Sequence, residues 1–67
     1  MKNTREITGT LFAESEKARR VRVGVVGRQI WIPKSLTFRV IKFAPNEFGE
    51  REVRMEVEEW FLEKEGL

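Results

Sequence analysis

Valine alternates with arginine along residues 19–26. Val21, Val23 and Val25 fall on one side of an extended chain, and Arg20 and Arg22 on the other. A period of two marks a strand with one buried face. The same rhythm returns at Gln29-Ile30-Trp31-Ile32, which predicts a hairpin partner across a reversal at Gly27-Arg28. Pro33 has no N–H to give a ladder and ends that strand or lies on an edge. Residues 5–13 alternate more loosely, with Ile7 and Leu11 on one face and Thr8, Thr10 and Phe12 on the other; Gly9 is the place for a bulge. Residues 36–43 set Leu36, Phe38 and Val40 against Thr37, Arg39, Ile41 and Phe43. A loop rich in Pro, Asn and Gly follows at residues 44–50. In residues 51–57, Val53, Met55 and Val57 point inward, and Glu52, Arg54 and Glu56 outward.

The period changes at residue 58. Val57, Trp60 and Phe61 cluster at helical spacing, Glu58 and Glu59 suit the positive end of a helix, and Lys64 suits the negative end. Gly66 is placed for a C-terminal stop. A helix over 58–65 is too short to stand alone, so Trp60 and Phe61 are expected to dock on the sheet. Five short strands and one terminal helix predict a single mainly β domain over residues 1–67. It is either a small five-stranded barrel, SH3-like or OB-like, or a curled antiparallel sheet with the helix across one opening.

Composition narrows the chemistry. The 67 residues contain no His, Cys, Asp or Tyr. That removes the ordinary neutral-pH base, the commonest metal ligands and the usual nucleophile systems. The chain is therefore expected to bind and not to catalyse, with no catalytic residue, metal or cofactor. No apolar run approaches the roughly 20 residues of a membrane span, and the first six residues lack a signal-peptide core, so a cytoplasmic location without membrane attachment is expected. All acidic residues are Glu, and Asn and Gln are scarce, which predicts heat resistance of the thermophile kind.

Charge is unevenly spread. Residues 17–54 carry a net charge of +7, residues 1–16 carry −1 and residues 55–67 carry −4. A basic body attracts phosphate polymers. If Val21, Ile30 and Ile32 point inward, Trp31 lies outward among Arg20 and Arg22, with Arg39 and Phe43 on the next strand. An exposed indole among arginines is a platform on which bases stack. The candidate nucleic-acid contacts are Arg20, Arg22, Arg28, Trp31, Lys34, Arg39, Phe43 and Arg54, with Phe12 as a further stacking ring. A one-residue slip would instead put Trp31 under the terminal helix. Two functions remain open. One is a module for single-stranded nucleic acid, or for nucleic acid without sequence preference. The other is a protein-interaction accessory module whose aromatics anchor a partner within an arginine rim. A monomer or a homodimer fits either.

At Trp31-Ile32-Pro33-Lys34-Ser35 and again at Glu59-Trp60-Phe61-Leu62-Glu63-Lys64-Glu65-Gly66-Leu67, the chain resembles a group of small proteins encoded by phages and other mobile elements of bacteria and archaea. That group carries a Lys-Ala turn, matched by Lys17-Ala18. It also carries a Trp-(Ile/Leu)-Pro-Lys-Ser segment and a Glu-Trp-Leu-x-Glu-Lys-x-Gly-Leu tail. Glu58 departs from the pattern, standing where the group often has Pro. The resemblance implies a small β domain of a mobile element in a nucleic-acid setting. It assigns no binding residue.

Overall fold

In a computed structural model, which describes residues 3–24 and 27–67, each run of alternation becomes a strand. The strands are β1 (Thr4–Glu14), β2 (Ala18–Val23), β3 (Arg28–Pro33), β4 (Thr37–Lys42) and β5 (Arg51–Glu58). One 3-10 turn, Lys34–Leu36, joins β3 to β4, and the helix α1 (Glu59–Lys64) closes the chain. All five strands lie in one antiparallel sheet of order β3-β2-β1-β5-β4. No ladder joins β3 to β4 among the described residues, so the sheet is curled and open, not a closed barrel. No helix is long and apolar enough to cross a membrane among these residues.

The curl follows from contacts across the inner face. In a flat sheet, β2 and β4 would stand three strand spacings apart, about 14 Å. Yet Arg19 on β2 donates from Nη1 to Thr37 Oγ1 on β4 over 3.3 Å. Gly9 pairs in register with Val23 and Val53, so the bulge expected there is corrected; the glycine instead permits a close approach of β1 to β2. A Cβ there would lie 2.4 Å from the Arg22 carbonyl oxygen and 2.6 Å from Val21 Cγ1, so no larger residue fits without displacing β2.

Inside the curl lie Val21, Val23, Ile30, Ile32, Val53, Met55 and Val57, the inward sets predicted for β2, β3 and β5. Val25, also expected inward, lies outside the described residues, and β2 ends at Val23. Ile7, Leu11, Leu36 and Val40 pack around this core. From α1 come Phe61 and Leu62, whereas Trp60 is 54% exposed. The expectation that Trp60 docks is therefore corrected. On so short a helix only one stripe can face the sheet, and Phe61 and Leu62 occupy it. Trp60 meets Phe61 edge-on, with ring centroids 6.1 Å apart.

The helix ends as Gly66 predicts. With φ of +79° it donates to the Glu63 carbonyl, and Leu67 donates to the Leu62 carbonyl over 2.8 Å. These paired bonds form the Schellman motif, and Leu67 also packs against the core beside Leu62.

Two bulges reset the strand phase. Between Leu11 and Ala13, β1 carries one extra residue, Phe12; between Phe38 and Ile41, β4 carries one extra residue against β5. Arg39 sits in the second bulge with φ of +52°. The alternation expected along 36–43 breaks there. Phe38 pairs with Glu56 and so faces outward, while Val40 packs inward, on the other side of the sheet from Phe38.

Candidate nucleic-acid interface

The outer side of the sheet collects what parity sends away from the core. Trp31 from β3 stands opposite Arg20 on β2, and Arg22 stands between Gln29 on β3 and Thr10 on β1. Thr8 on β1 faces Arg54 on β5, which in turn faces Ile41 on β4. Phe43 extends β4 by one more bond, its N–H donating to the Glu52 carbonyl over 2.9 Å. Phe12, the extra residue of the first bulge, keeps its ring on the side of Arg22, as parity with Thr10 predicts.

Arginine lies over an aromatic ring at three places on this face among the described residues. Arg20 Cζ lies 5.8 Å from the centre of the Trp31 ring, Arg22 Cζ 5.2 Å from that of Phe12, and Arg54 Cζ 5.6 Å from that of Phe43. Each cation is within reach of the ring quadrupole, an attraction worth about 0.5–1 kcal/mol at an exposed site. The rings remain partly open to solvent: Trp31 is 48% exposed, Phe12 40% and Phe43 38%. The alternative placement of Trp31 under the helix is thereby corrected. Between the pairs runs the middle strand with its small Thr8 and Thr10. They line a shallow concavity of about 400 Å³ together with Gly9, Arg22, Gly24 and Glu52.

The eight predicted contacts do not all converge. Arg20, Arg22, Trp31, Phe43 and Arg54 share the outer face. Arg39 stands at its β4 margin, lifted into solvent by the bulge, with Nε 3.2 Å from Glu56 Oε2. Arg28 and Lys34 lie elsewhere. Arg28 sits at the opposite end of β3 and binds the end of α1, donating to the Glu65 carbonyl and pairing with the Glu65 carboxylate at 3.2 Å. Lys34 joins a cluster at one mouth of the curl. There Glu14 receives Lys42 Nζ at 2.7 Å and Lys34 Nζ at 2.9 Å, with Arg19 Nε at 3.6 Å. The hydrogen bonds from Lys42 and Lys34 lower the Glu14 pKa to about 2.

These pairings change the electrostatic picture. Several cations of the basic central segment neutralise Glu14 and Glu65, and Glu6, Glu52 and Glu56 share the outer face with its arginines. Parity set Glu52 and Glu56 outward beside Arg54, but it could not show which cation each carboxylate meets, because that depends on strand pairing between segments far apart in the chain. The outer face is a mixed surface of guanidinium and aromatic groups, not a uniformly cationic one. Sequence reasoning also left Phe38 and Ile41 out of the site. Ile41 is 48% exposed, on the face the alternation gave it with Arg39 and Phe43; Phe38 is 37% exposed, and the bulge that sets it on that same face has no signature in the alternation. Among the described residues, no group of three or more acidic, His or Cys side chains is arranged to hold a metal ion.

Comparison with protein-family models, with curated proteins and with solved structures finds no match to this chain.

Proposed function

We propose that this domain binds single-stranded nucleic acid without strong sequence preference, on the outer face of its sheet. The observation that carries the reading is the set of three exposed aromatic rings, each with an arginine held against it, spread across the sheet from β3 to the end of β4. Every base offers a π-face, so stacking tolerates any sequence, and each stacked base contributes about 1–3 kcal/mol. The guanidinium groups supply phosphate contacts beside each ring. A duplex hides its base faces and gains only the phosphate contacts. The setting we propose is an accessory protein of a phage or other mobile element, on the resemblance at residues 31–35 and 59–67.

A second reading has one observation of its own. Phe38, Ile41 and Phe43 give β4 an apolar outer row, which suits a protein partner anchored within a rim of arginines.

Titration with an oligothymidylate separates the two. In a Trp60→Phe background the fluorescence reports Trp31 alone. Binding should quench it, and affinity should fall with added salt by about 0.7 log units per tenfold salt for each phosphate contact. Trp31→Ala should weaken binding by roughly tenfold or more while the protein stays folded. Binding no tighter than millimolar at low salt, or an unchanged affinity in Trp31→Ala, would transfer the face to a protein partner.

A further inference from the structure

The three arginine–aromatic pairs are not equivalent. Arg22 Nη2 lies 3.8 Å from Glu50 Oε2, and Arg54 Nε lies 3.8 Å from Glu6 Oε1. Glu50 is held in place. Asn46 Nδ2 donates to its other carboxylate oxygen over 3.3 Å, and Asn46 Oδ1 accepts the Glu50 and Phe48 N–H groups. Arg20, by contrast, has no carboxylate partner among the described residues, and its buried Nε has no acceptor. The cause lies in the strands beside it. Its ladder neighbours are Trp31 on β3 and Ala13 on β1, and β3 carries no acidic residue.

From this difference we infer that Trp31 and Arg20 form the anchoring subsite of the face, and that Glu50 and Glu6 occupy the other two arginines in place of phosphate until ligand displaces them. The inference rests on the nucleic-acid reading above and adds an order to it. At Arg20 an incoming phosphate meets terminal Nη groups that no carboxylate holds, the buried Nε lying beyond its reach, next to an exposed indole that takes the adjoining base. At Arg22 and Arg54 the phosphate must first replace a carboxylate, and that carboxylate stays close enough to repel it. Exposed ion pairs of this kind are worth about 0.2–1 kcal/mol, so each shifts affinity by about 1.4- to fivefold and not by orders of magnitude. A strand too short to cross the sheet therefore depends on Arg20 and Trp31. A longer strand also gains whatever the other two pairs release.

The test uses labelled oligothymidylates of two lengths, about 3 and about 12 nucleotides, followed by anisotropy at fixed low salt with the full chain. Glu50→Gln and Glu6→Gln should each raise affinity for the long oligonucleotide about 1.4- to fivefold and leave the short one unchanged. Arg20→Gln should weaken both lengths, whereas Arg22→Gln and Arg54→Gln should weaken only the long one. Melting curves for each variant separate loss of binding from loss of fold. Should Arg20→Gln melt early, Trp31→Phe serves as the second probe, since it keeps a ring and should weaken the short oligonucleotide most. Equal losses for all three arginines, or no gain from either glutamine variant, would overturn the ordering while leaving the nucleic-acid reading intact. A wild-type protein that binds neither length would overturn both.

Discussion

Glu14, the last residue of β1, and Lys42, the last of β4, lie on strands separated by β5, yet their side chains meet at 2.7 Å. The contact exists because the sheet curls, and it helps to hold that curl. Lys34 and Arg19 approach the same carboxylate, so one acid ties the 3-10 turn, β2 and β4 together at the mouth. The folded protein therefore holds Glu14 ionised down to about pH 2, below its ordinary value of 4.5. A carboxylate with a depressed folded pKa stabilises the fold above its unfolded pKa and loses that effect as pH falls through the folded one. Glu14→Gln should therefore melt earlier than wild type at pH 7. The difference should shrink between about pH 4.5 and pH 2. Parallel melting curves at every pH would show that the cluster adds no linked stability.

Leu62 is fully buried and Trp60 is 54% exposed, although the two are close in sequence. Leu62→Ala should cost about 2–5 kcal/mol in denaturant unfolding, a large share of what so small a domain has. Trp60→Ala should cost about 1 kcal/mol or less, from its edge contact with Phe61. Reversed magnitudes would mean that α1 docks by its other side.

Gly9→Ala tests the close approach of β1 and β2. The new methyl group meets backbone at 2.4 Å, where no side chain can swing aside. Overpacking of this kind costs about 1–3 kcal/mol, and a chemical-denaturation midpoint reads it directly. A variant as stable as wild type would show that the strands can separate freely at that point.

Arg39 bears a positive φ that residues with a Cβ adopt at a cost of about 1–2 kcal/mol. Its ion pair with Glu56 is solvent-exposed and offsets little of that. Arg39→Gly should therefore leave stability unchanged or raise it by up to about 1 kcal/mol. Arg39→Val should lower it, because a branched Cβ is least tolerated there. If Gly destabilises and Val does not, the backbone term is not the controlling one.

Local pattern determined a good deal of this protein by itself. Five strands, the inward sets Val21/Val23, Ile30/Ile32 and Val53/Met55/Val57, a short helix and its stop at Gly66 were all legible. One reason serves for the strands: where a sheet buries one side, the period of two commits every residue to a face. The same parity placed Arg20, Arg22, Trp31, Phe43 and Arg54 together on the opposite side. Only the tertiary structure decided the rest. The bulges at Phe12 and Arg39 add one residue each to a ladder, and the second sends Phe38 outward against the expected phase. Leu62 displaced Trp60 from the core because docking geometry, not hydrophobicity, selects the stripe of a helix this short. Arg28 and Lys34 were taken by Glu65 and Glu14 through contacts between segments far apart in the chain. Alternation is a property of neighbours along the chain, whereas the curl brings together residues on strands that do not touch. Which arginine keeps a carboxylate and which does not is decided by strand pairing, which sets Glu6 near Arg54 but only Trp31 and Ala13 beside Arg20, and by the loop that carries Glu50.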